Sequence, residues 1–438
     1  MSLSSSVSWE VRPSVGASTN GGAFDPSVVS PGTDYSQQNS AQYSGTDGTA
    51  AGTAAFTSVS HSFVSADVGN LVNIASGSGF TAGFYTIVSV AGGTATLDRS
   101  PGTGTVAHYA VGGALDSFVQ LVSRAGYGSA TMAVPGNTIW VKSTGPVTIT
   151  TAITNYDLTL FTLIGYASTR GDSGQATLTT STNSINLFIP GVNGMLWRLK
   201  NFIFSSTAGT PGGGITDNGQ TWDYLTLENC VISGFSYGFV VDGGYFVAIN
   251  TEIKNCTTAG IYLGDVNATQ AMICGCYIHG NANGIIDNLG ATCIWDSVVA
   301  YNTSNGYQNA NDASAITGTL LAVNSVFYGN TADGIRMYGT GSPYGRLATL
   351  INCIIANNGA YGVAFAGGTS YFLPVLEGRN NAYRNNTSGN VLHATQPASD
   401  ITLTADPFTS ASTGDFTLNS TAGGGAACKV AGYQSNLI

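Results

Sequence analysis

Four aspartates recur at related places in the middle of the chain. Asp242, Asp265 and Asp287 each follow a recurrent glycine by three to five residues, and Asp312 follows one by six. A row of carboxylates can hold a divalent cation such as Ca²⁺, and a carboxylate or a base can move a proton. Elimination chemistry asks for a basic side chain beside such a row, and between residues 201 and 335 Lys254 is the only Lys or Arg. Hydrolysis with inversion asks instead for two or three close carboxylates. His279, in Ile278-His279-Gly280-Asn281, is the histidine nearest the row, but no adjacent Asp-Asp pair accompanies it. Asp242, Asp265, Asp287 and His279 are therefore the candidate catalytic set. The plainer reading is a set of solvated turn residues.

Aromatics form a second group. Trp222, Tyr224, Phe235, Tyr237, Tyr245 and Phe246 crowd one stretch, and Tyr338 and Tyr344 flank a Gly-rich excursion between Arg336 and Arg346. Exposed aromatic rings stack on sugar rings and anchor binding. Trp222, Tyr224, Tyr237, Tyr245, Tyr338 and Tyr344 are the candidate glycan-binding residues; the alternative places such rings in a core. No metal site is expected. Cys274-Gly-Cys276 leaves one residue between thiols where zinc knuckles have two to four. Seven cysteines also make an odd number for a disulfide framework, so buried small thiols are the expectation. No P-loop, dinucleotide fingerprint or nucleophile elbow occurs.

The elements that would carry these groups come from an internal repeat. Gly238, Gly260, Gly284, Gly306, Gly334, Gly362 and Gly389 are spaced 22, 24, 22, 28, 28 and 27 residues apart. A second register runs through Asn229-Cys230-Val231-Ile232, Asn250-Thr251-Glu252-Ile253, Gly275-Cys276-Tyr277-Ile278, Asp296-Ser297-Val298-Val299, Asn324-Ser325-Val326-Phe327 and Asn352-Cys353-Ile354-Ile355. A third is Asn281, Asn302, Asn330, Asn358 and Asn386. Periods in the twenties with short β-rich units predict a parallel β solenoid. Equivalent side chains then stack coil upon coil, and a buried Asn row can bond amide to amide. The recurrent glycines are expected where the chain needs positive φ to leave a turn.

The N-terminal part differs. Residues 1–52 read as an arm or attachment segment, and 53–111 as a small β-rich module with strands around Leu71–Ile74, Gly83–Val90 and Ala95–Asp98. Residues 114–126 place Leu115, Phe118, Val119 and Val122 on one helical stripe and predict a short capping helix. The solenoid with its cap spans 112–430, and 431–438 is a C-terminal tail.

Composition removes whole classes. Charged residues are 8%, against about a quarter in an average globular chain, and glycines number 59. Coiled coils and helical bundles are excluded, and a 43% hydrophobic content supplies a core. The net charge of −10 argues against binding to nucleic acid, which needs clustered cations. No apolar run reaches a membrane span. The start, Met1-Ser2-Leu3, shows no export signal, though a cloning remnant would hide one.

Val134-Pro135-Gly136-Asn137-Thr138-Ile139-Trp140-Val141-Lys142 resembles the entry into the right-handed parallel β-helix of pectate-lyase-like proteins. Gly165-Tyr166 with Thr169-Arg170-Gly171-Asp172, and Asn352-Cys353-Ile354-Ile355-Ala356-Asn357-Asn358, are similar to their coils. Asp406-Pro407-Phe408 with Gly414-Asp415-Phe416-Thr417-Leu418 resembles a common closing segment. Trp9-Glu10-Val11-Arg12-Pro13, Asn20–Phe24 and Gly32–Gln38 resemble the start of uncharacterised β-helix proteins of phages and environmental bacteria. The resemblance implies an all-β fold, a right-handed parallel β-helix with a small N-terminal β module. It leaves function open, because this fold hosts lyases, hydrolases, epimerases, adhesins and phage spikes.

The leading expectation is a virion structural and recognition protein: a tail spike, fibre or capsid appendage on the particle surface. It would contact other virion proteins through the N-terminal arm, trimerise and bind host-surface polysaccharide, without a cofactor. The alternative is an extracellular polysaccharide lyase or glycoside hydrolase, with Ca²⁺ under the lyase version. A third is a bacterial surface adhesin.

Overall fold

The computed structural model describes residues 6–117, 138–155, 160–190, 196–216, 224–241, 243–264, 270–288, 290–309, 319–339, 346–367 and 374–432. The chain forms two compact units, residues 1–180 with 189–204, and residues 181–188 with 205–438.

The larger unit is wound from short strands that belong in turn to three parallel sheets. First-sheet strands are Tyr224–Glu228, Tyr245–Ile249, Gln270–Cys274, Ala291–Trp295, Thr319–Val323, Arg346–Ile351 and Pro374–Arg379. Each pairs in line with the next, so Leu227, Ala248, Ile273, Ile294, Ala322 and Leu350 fall in one column. All six are fully buried. Alternation along each strand makes that column the bore and its neighbours the outer wall. The second sheet runs from Val231–Ser233 to Ile401–Thr402, and the third from Ile215–Thr216 to Gly389–Leu392.

Two corners of the coil are nearly invariant. The first-to-second corner has two residues, the first left-handed: Asn229, Asn250, Gly275, Asp296, Asn324, Asn352 and Asn380, with φ between 48° and 64°. Asn and Asp tolerate that region better than other side chains, and Gly has no β-carbon to clash. The second residue points inward and continues a hydrogen-bond ladder. The Cys276 amide donates to Ser297 Oγ at 3.0 Å, and the Ser297 amide to Ser325 Oγ at 3.2 Å. Cysteine occupies the same rung in other coils, where the Cys230 and Cys276 thiols donate to the carbonyls of Glu228 and Cys274.

Just past the second-to-third corner's left-handed residue lies the buried Asn row. Asn281, Asn302, Asn330 and Asn358 each donate from Nδ2 to Oδ1 of the next, ending at Asn386, at 3.2, 2.9, 3.0 and 2.9 Å. The amide-to-amide ladder expected from the sequence is present. The recurrent glycines, however, are explained by contact rather than by φ. Of these, Gly238, Gly260, Gly284, Gly306, Gly334 and Gly362 have no left-handed φ, and only Gly389 does, at 131°. A β-carbon on Gly306 would stand 2.6 Å from the Gly334 carbonyl oxygen and 2.8 Å from Asn330 Nδ2. The rows are closed by adjacent coils approaching backbone to backbone.

The smaller unit holds a six-stranded antiparallel sheet from Tyr43–Ala51 to Thr103–Val111, around Phe56, Phe63, Val72, Ile74, Tyr85, Ile87 and Tyr109. The module therefore starts near 43 rather than 53. The segment before it is not a loose arm. Ser8–Val11 pairs in parallel with Thr138–Lys142, and Trp9 is fully buried. Glu10, also buried, accepts from Arg12 Nε and Arg170 Nε, both at 2.8 Å, and from the Tyr166 hydroxyl. The apolar pair Trp9 and Val11 needed a core, and the adjoining carboxylate found two guanidinium groups, so the segment is tied in at three points. The expected cap at 114–126 is not helical where it is described: Leu115 is buried in a parallel bridge with Val11. Residues 118–126 lie outside the described residues.

Among the described residues the α-helix lies near the C-terminus, Gly425–Ala431. With the hairpin Phe408–Ser410 and Asp415–Leu418 it covers the outer wall of the second sheet at Ala300, Tyr328, Ile354, Ala356 and Ala382. No helix among the described residues is long and apolar enough to cross a membrane.

Candidate functional site: the outer face of the first sheet

Outward residues of a parallel sheet line up in columns, so one face can be read residue by residue. The first column of the first sheet holds Tyr224, Tyr245, Gln270, Ala291, Thr319, Leu347 and Val375. The middle column holds Thr226, Val247, Met272, Cys293, Leu321, Thr349 and Glu377, and the last Glu228, Ile249, Cys274, Trp295, Val323, Ile351 and Arg379, so charge stands only at the two ends of these columns. Tyr224, Met272, Trp295 and Leu321 are 47, 42, 41 and 37% exposed. Large apolar side chains at these exposures, grouped on one face, mark an interaction surface.

The short residues Ala291 and Thr319 make a valley between taller neighbours. Tyr245, stacked on Tyr224 with ring centroids 4.6 Å apart, walls one end. The resulting groove has a volume of about 450 Å³. Its floor and walls are Tyr245, Val247, Gln270, Met272, Cys293, Leu321, Leu347 and Thr349 with the short residues, and among the described residues no charged side chain lines it.

The corner bordering the first column is the variable one. The connections from third to first sheet occupy residues 242–244, 264–269, 288–290, 310–318, 340–345 and 368–373. Asp242, Asp265 and Asp312 fall in three of them, Tyr344 in a fourth, and Trp222 in the connection before Tyr224. These five lie outside the described residues.

Asp287 and His279 are described, and they are not brought together. Asp287 ends a third-sheet strand and points into the bore, fully buried. It accepts from the Gly290 amide and from the Thr292 and Tyr307 hydroxyls, each at 2.7 Å. A carboxylate so engaged is a structural acceptor, neither a solvated turn residue nor an accessible calcium ligand. Burial, and then the Asp287 charge, push the Tyr307 hydroxyl well above its ordinary range. His279 stands on the outer wall of the second sheet. It stacks on Tyr277 at 3.8 Å and bonds Glu252 Oε1 at 2.9 Å, while Lys254 reaches the same oxygen at 3.0 Å. Partial burial alone would raise Glu252, but the bonds from His279 and Lys254 prevail and lower it. Among the described residues no group of three or more His, Cys, Asp or Glu converges to hold a metal.

The tyrosines divide between two faces. Tyr245 lines the groove, and Tyr224 stacks on its ring. Tyr237 meets Tyr262 edge-on at 5.3 Å on the third sheet. Tyr338, on that sheet too, lies under the Arg336 guanidinium, which is paired with Asp333 at 2.7 Å. Sequence reading missed Met272, Cys293, Trp295, Leu321 and Leu347. Their signal was the alternation within each strand once the coil register was fixed, which assigns them all to the outside. It also missed Glu252, which the coil step places beside His279.

A family model described as a right-handed beta helix region matches residues 213–388. The chain carries a right-handed parallel β-helix. That hand is the one expected of parallel crossovers generally. Among solved structures, this β-helix chain is similar to pectate lyase Pel9A, at 19% identity over 64% of this chain and 76% of that one, with a TM-score of 0.46. It is similar to the A-module of Azotobacter vinelandii mannuronan C-5 epimerase AlgE4, at 10% identity over 61% and 91%, with a TM-score of 0.37. It is also similar to the Dettilon tailspike protein, at 11% identity over 61% and 60%, with a TM-score of 0.39. No curated protein sequence matches it.

Proposed function

We propose that the chain is a recognition protein that presents a rigid β-helix to surface polysaccharide, built into a virus particle as a spike, fibre or appendage. The observation that carries the binding role is the apolar and aromatic groove on the outer face of the first sheet. It has a stacked tyrosine pair at one end, Trp295 beside it, and connections of varied length along its border. A regular wall with one variable edge separates the scaffold from the parts that specify a ligand. Ladders of Asn, Ser, Thr and Cys hold the wall's register, so binding orders little of the protein and loses little entropy. In this reading the six-stranded module, rather than a free arm, meets other virion proteins, and copies of the chain assemble as a trimer.

The test has two parts. Purified protein is applied to an array of bacterial surface polysaccharides, and purified particles are searched for the chain by mass spectrometry. Retention on the array that Tyr245→Ala reduces at least ten-fold, and the chain found in particles, are the expected results. A second reading, a polysaccharide lyase or hydrolase, has one observation of its own: Asp242, Asp265 and Asp312 each fall in the sequence between a third-sheet strand and the next first-sheet strand. It predicts shortening of a bound polymer that Asp265→Ala abolishes, and intact polymer after long incubation would retire it.

A further inference from the structure

The groove's lining says what kind of polymer it accepts. The side chains presented outward are Tyr245, Val247, Met272, Ala291, Cys293, Leu321 and Leu347, with Gln270, Thr319 and Thr349 as the polar members. A sugar bearing a free hydroxyl at every position would lose more hydrogen bonds to water here than three polar side chains restore. An ionised uronate would lose its hydration opposite a lining with no cation among the described residues. The chain's charge of −10 adds long-range repulsion of a polyanion. A methyl group fits on every count, because Met272, Leu321 and Leu347 offer it contact and it asks for no partner.

We infer that the groove takes an uncharged polysaccharide bearing methyl groups as O-acetyl substituents. This deepens the glycan reading above and rests on it. The inference parts from an acidic substrate, which the lyase alternative would need.

The test uses the full chain and matched pairs of polymers. Several neutral O-acetylated bacterial polysaccharides are each titrated by calorimetry before and after mild base removes the esters, and polygalacturonate serves as the acidic polymer. Each buried methyl is worth about a four-fold gain in affinity, so two per site give about ten-fold or more between native and stripped polymer. Affinity for the native polymer is expected to hold between roughly 50 and 500 mM salt, a range over which charge-driven binding collapses. Leu321→Asp is expected to weaken binding at least ten-fold with an unchanged thermal melt, and Val59→Asp, on the exposed surface of the other unit, to leave it unchanged. Equal affinity for native and stripped polymer, or salt-sensitive binding of polygalacturonate, would overturn the inference and leave glycan binding standing. Binding of no polymer at all, by a protein that melts cooperatively, would overturn both.

Discussion

Asn330 shows how single side chains hold this fold. Its amide donates to Asn358 Oδ1 and to the Val299 carbonyl, and its Oδ1 accepts from both the backbone and the side chain of Asn302. Asn330→Leu, with the same number of side-chain heavy atoms, strands the two Asn302 donors on one side and takes a donor from the Val299 carbonyl and Asn358 Oδ1 on the other, all in the bore. Each buried group left unpaired costs about 1–3 kcal/mol, so a loss of several kcal/mol is expected as a fall in midpoint on chemical denaturation. The cysteines on the neighbouring ladder follow a complementary rule. Cys353 occupies the rung that Ser297 and Ser325 fill in earlier coils, its thiol bonded to the carbonyls of Ala322 and Ile351. Cys353→Ser should therefore lie within about 1 kcal/mol of the parent, while Cys353→Val, which cannot donate, should cost about 1–3 kcal/mol. Equal midpoints for the two variants would mean the thiol serves only as filler.

At the scale of strands and corners, the sequence displayed spacing more clearly than direction. The three registers located the coils, because a ladder needs the same side chain at each step: Asn302, Asn330 and Asn358 could be found by counting. Direction needs the phase of each strand, and a single aspartate does not carry it. Asp287 shares a column with Leu263 and Asn309, which places it inside, although its distance from Gly284 resembles that of Asp242 from Gly238. The glycine rows were legible as rows and misread in cause, since close approach of two coils leaves no mark distinct from a turn. The groove was hidden for a related reason: its residues differ in type from coil to coil, and only the register aligns them. Close approach makes its own prediction. Gly306→Ala has a common backbone conformation available, yet its methyl would meet the Gly334 carbonyl and Asn330 Nδ2. Overpacking of this kind costs about 1–3 kcal/mol. Because Gly306 has no positive φ, a variant that melted with the parent would show that close approach does not require glycine there.

Across the whole molecule the ionisable groups are few and sorted by depth, which fixes how stability changes with pH. Burial pushes the thiols of Cys256, Cys276 and Cys353 up to about 12. Burial likewise raises the hydroxyls of Tyr166, Tyr307 and Tyr383, each next to a carboxylate that adds to the effect. All six are neutral acids in the folded chain, and unfolding lets them ionise near their ordinary values. Between those values and the raised ones the folded state binds more protons, so stability must fall as pH rises. The loss begins near pH 9, where free thiols ionise, and steepens near 10, where tyrosines join. Each fully buried thiol contributes about 1.4 kcal/mol per pH unit within that window. On the acid side, hydrogen bonds from Ser60 and Ser58 hold the exposed Asp47 down at about 2, and four backbone amides lower Asp172. Those contributions persist until strongly acid solution. A melting temperature nearly level from pH 5 to 8 and dropping sharply by pH 10.5 is the expected calorimetric profile. Replacing Cys256, Cys276 and Cys353 together by Ser should soften the first part of the drop, because a hydroxyl does not ionise there. A profile level to pH 10.5, or an unchanged drop in the triple variant, would show that the thiols are not shielded as the coil places them.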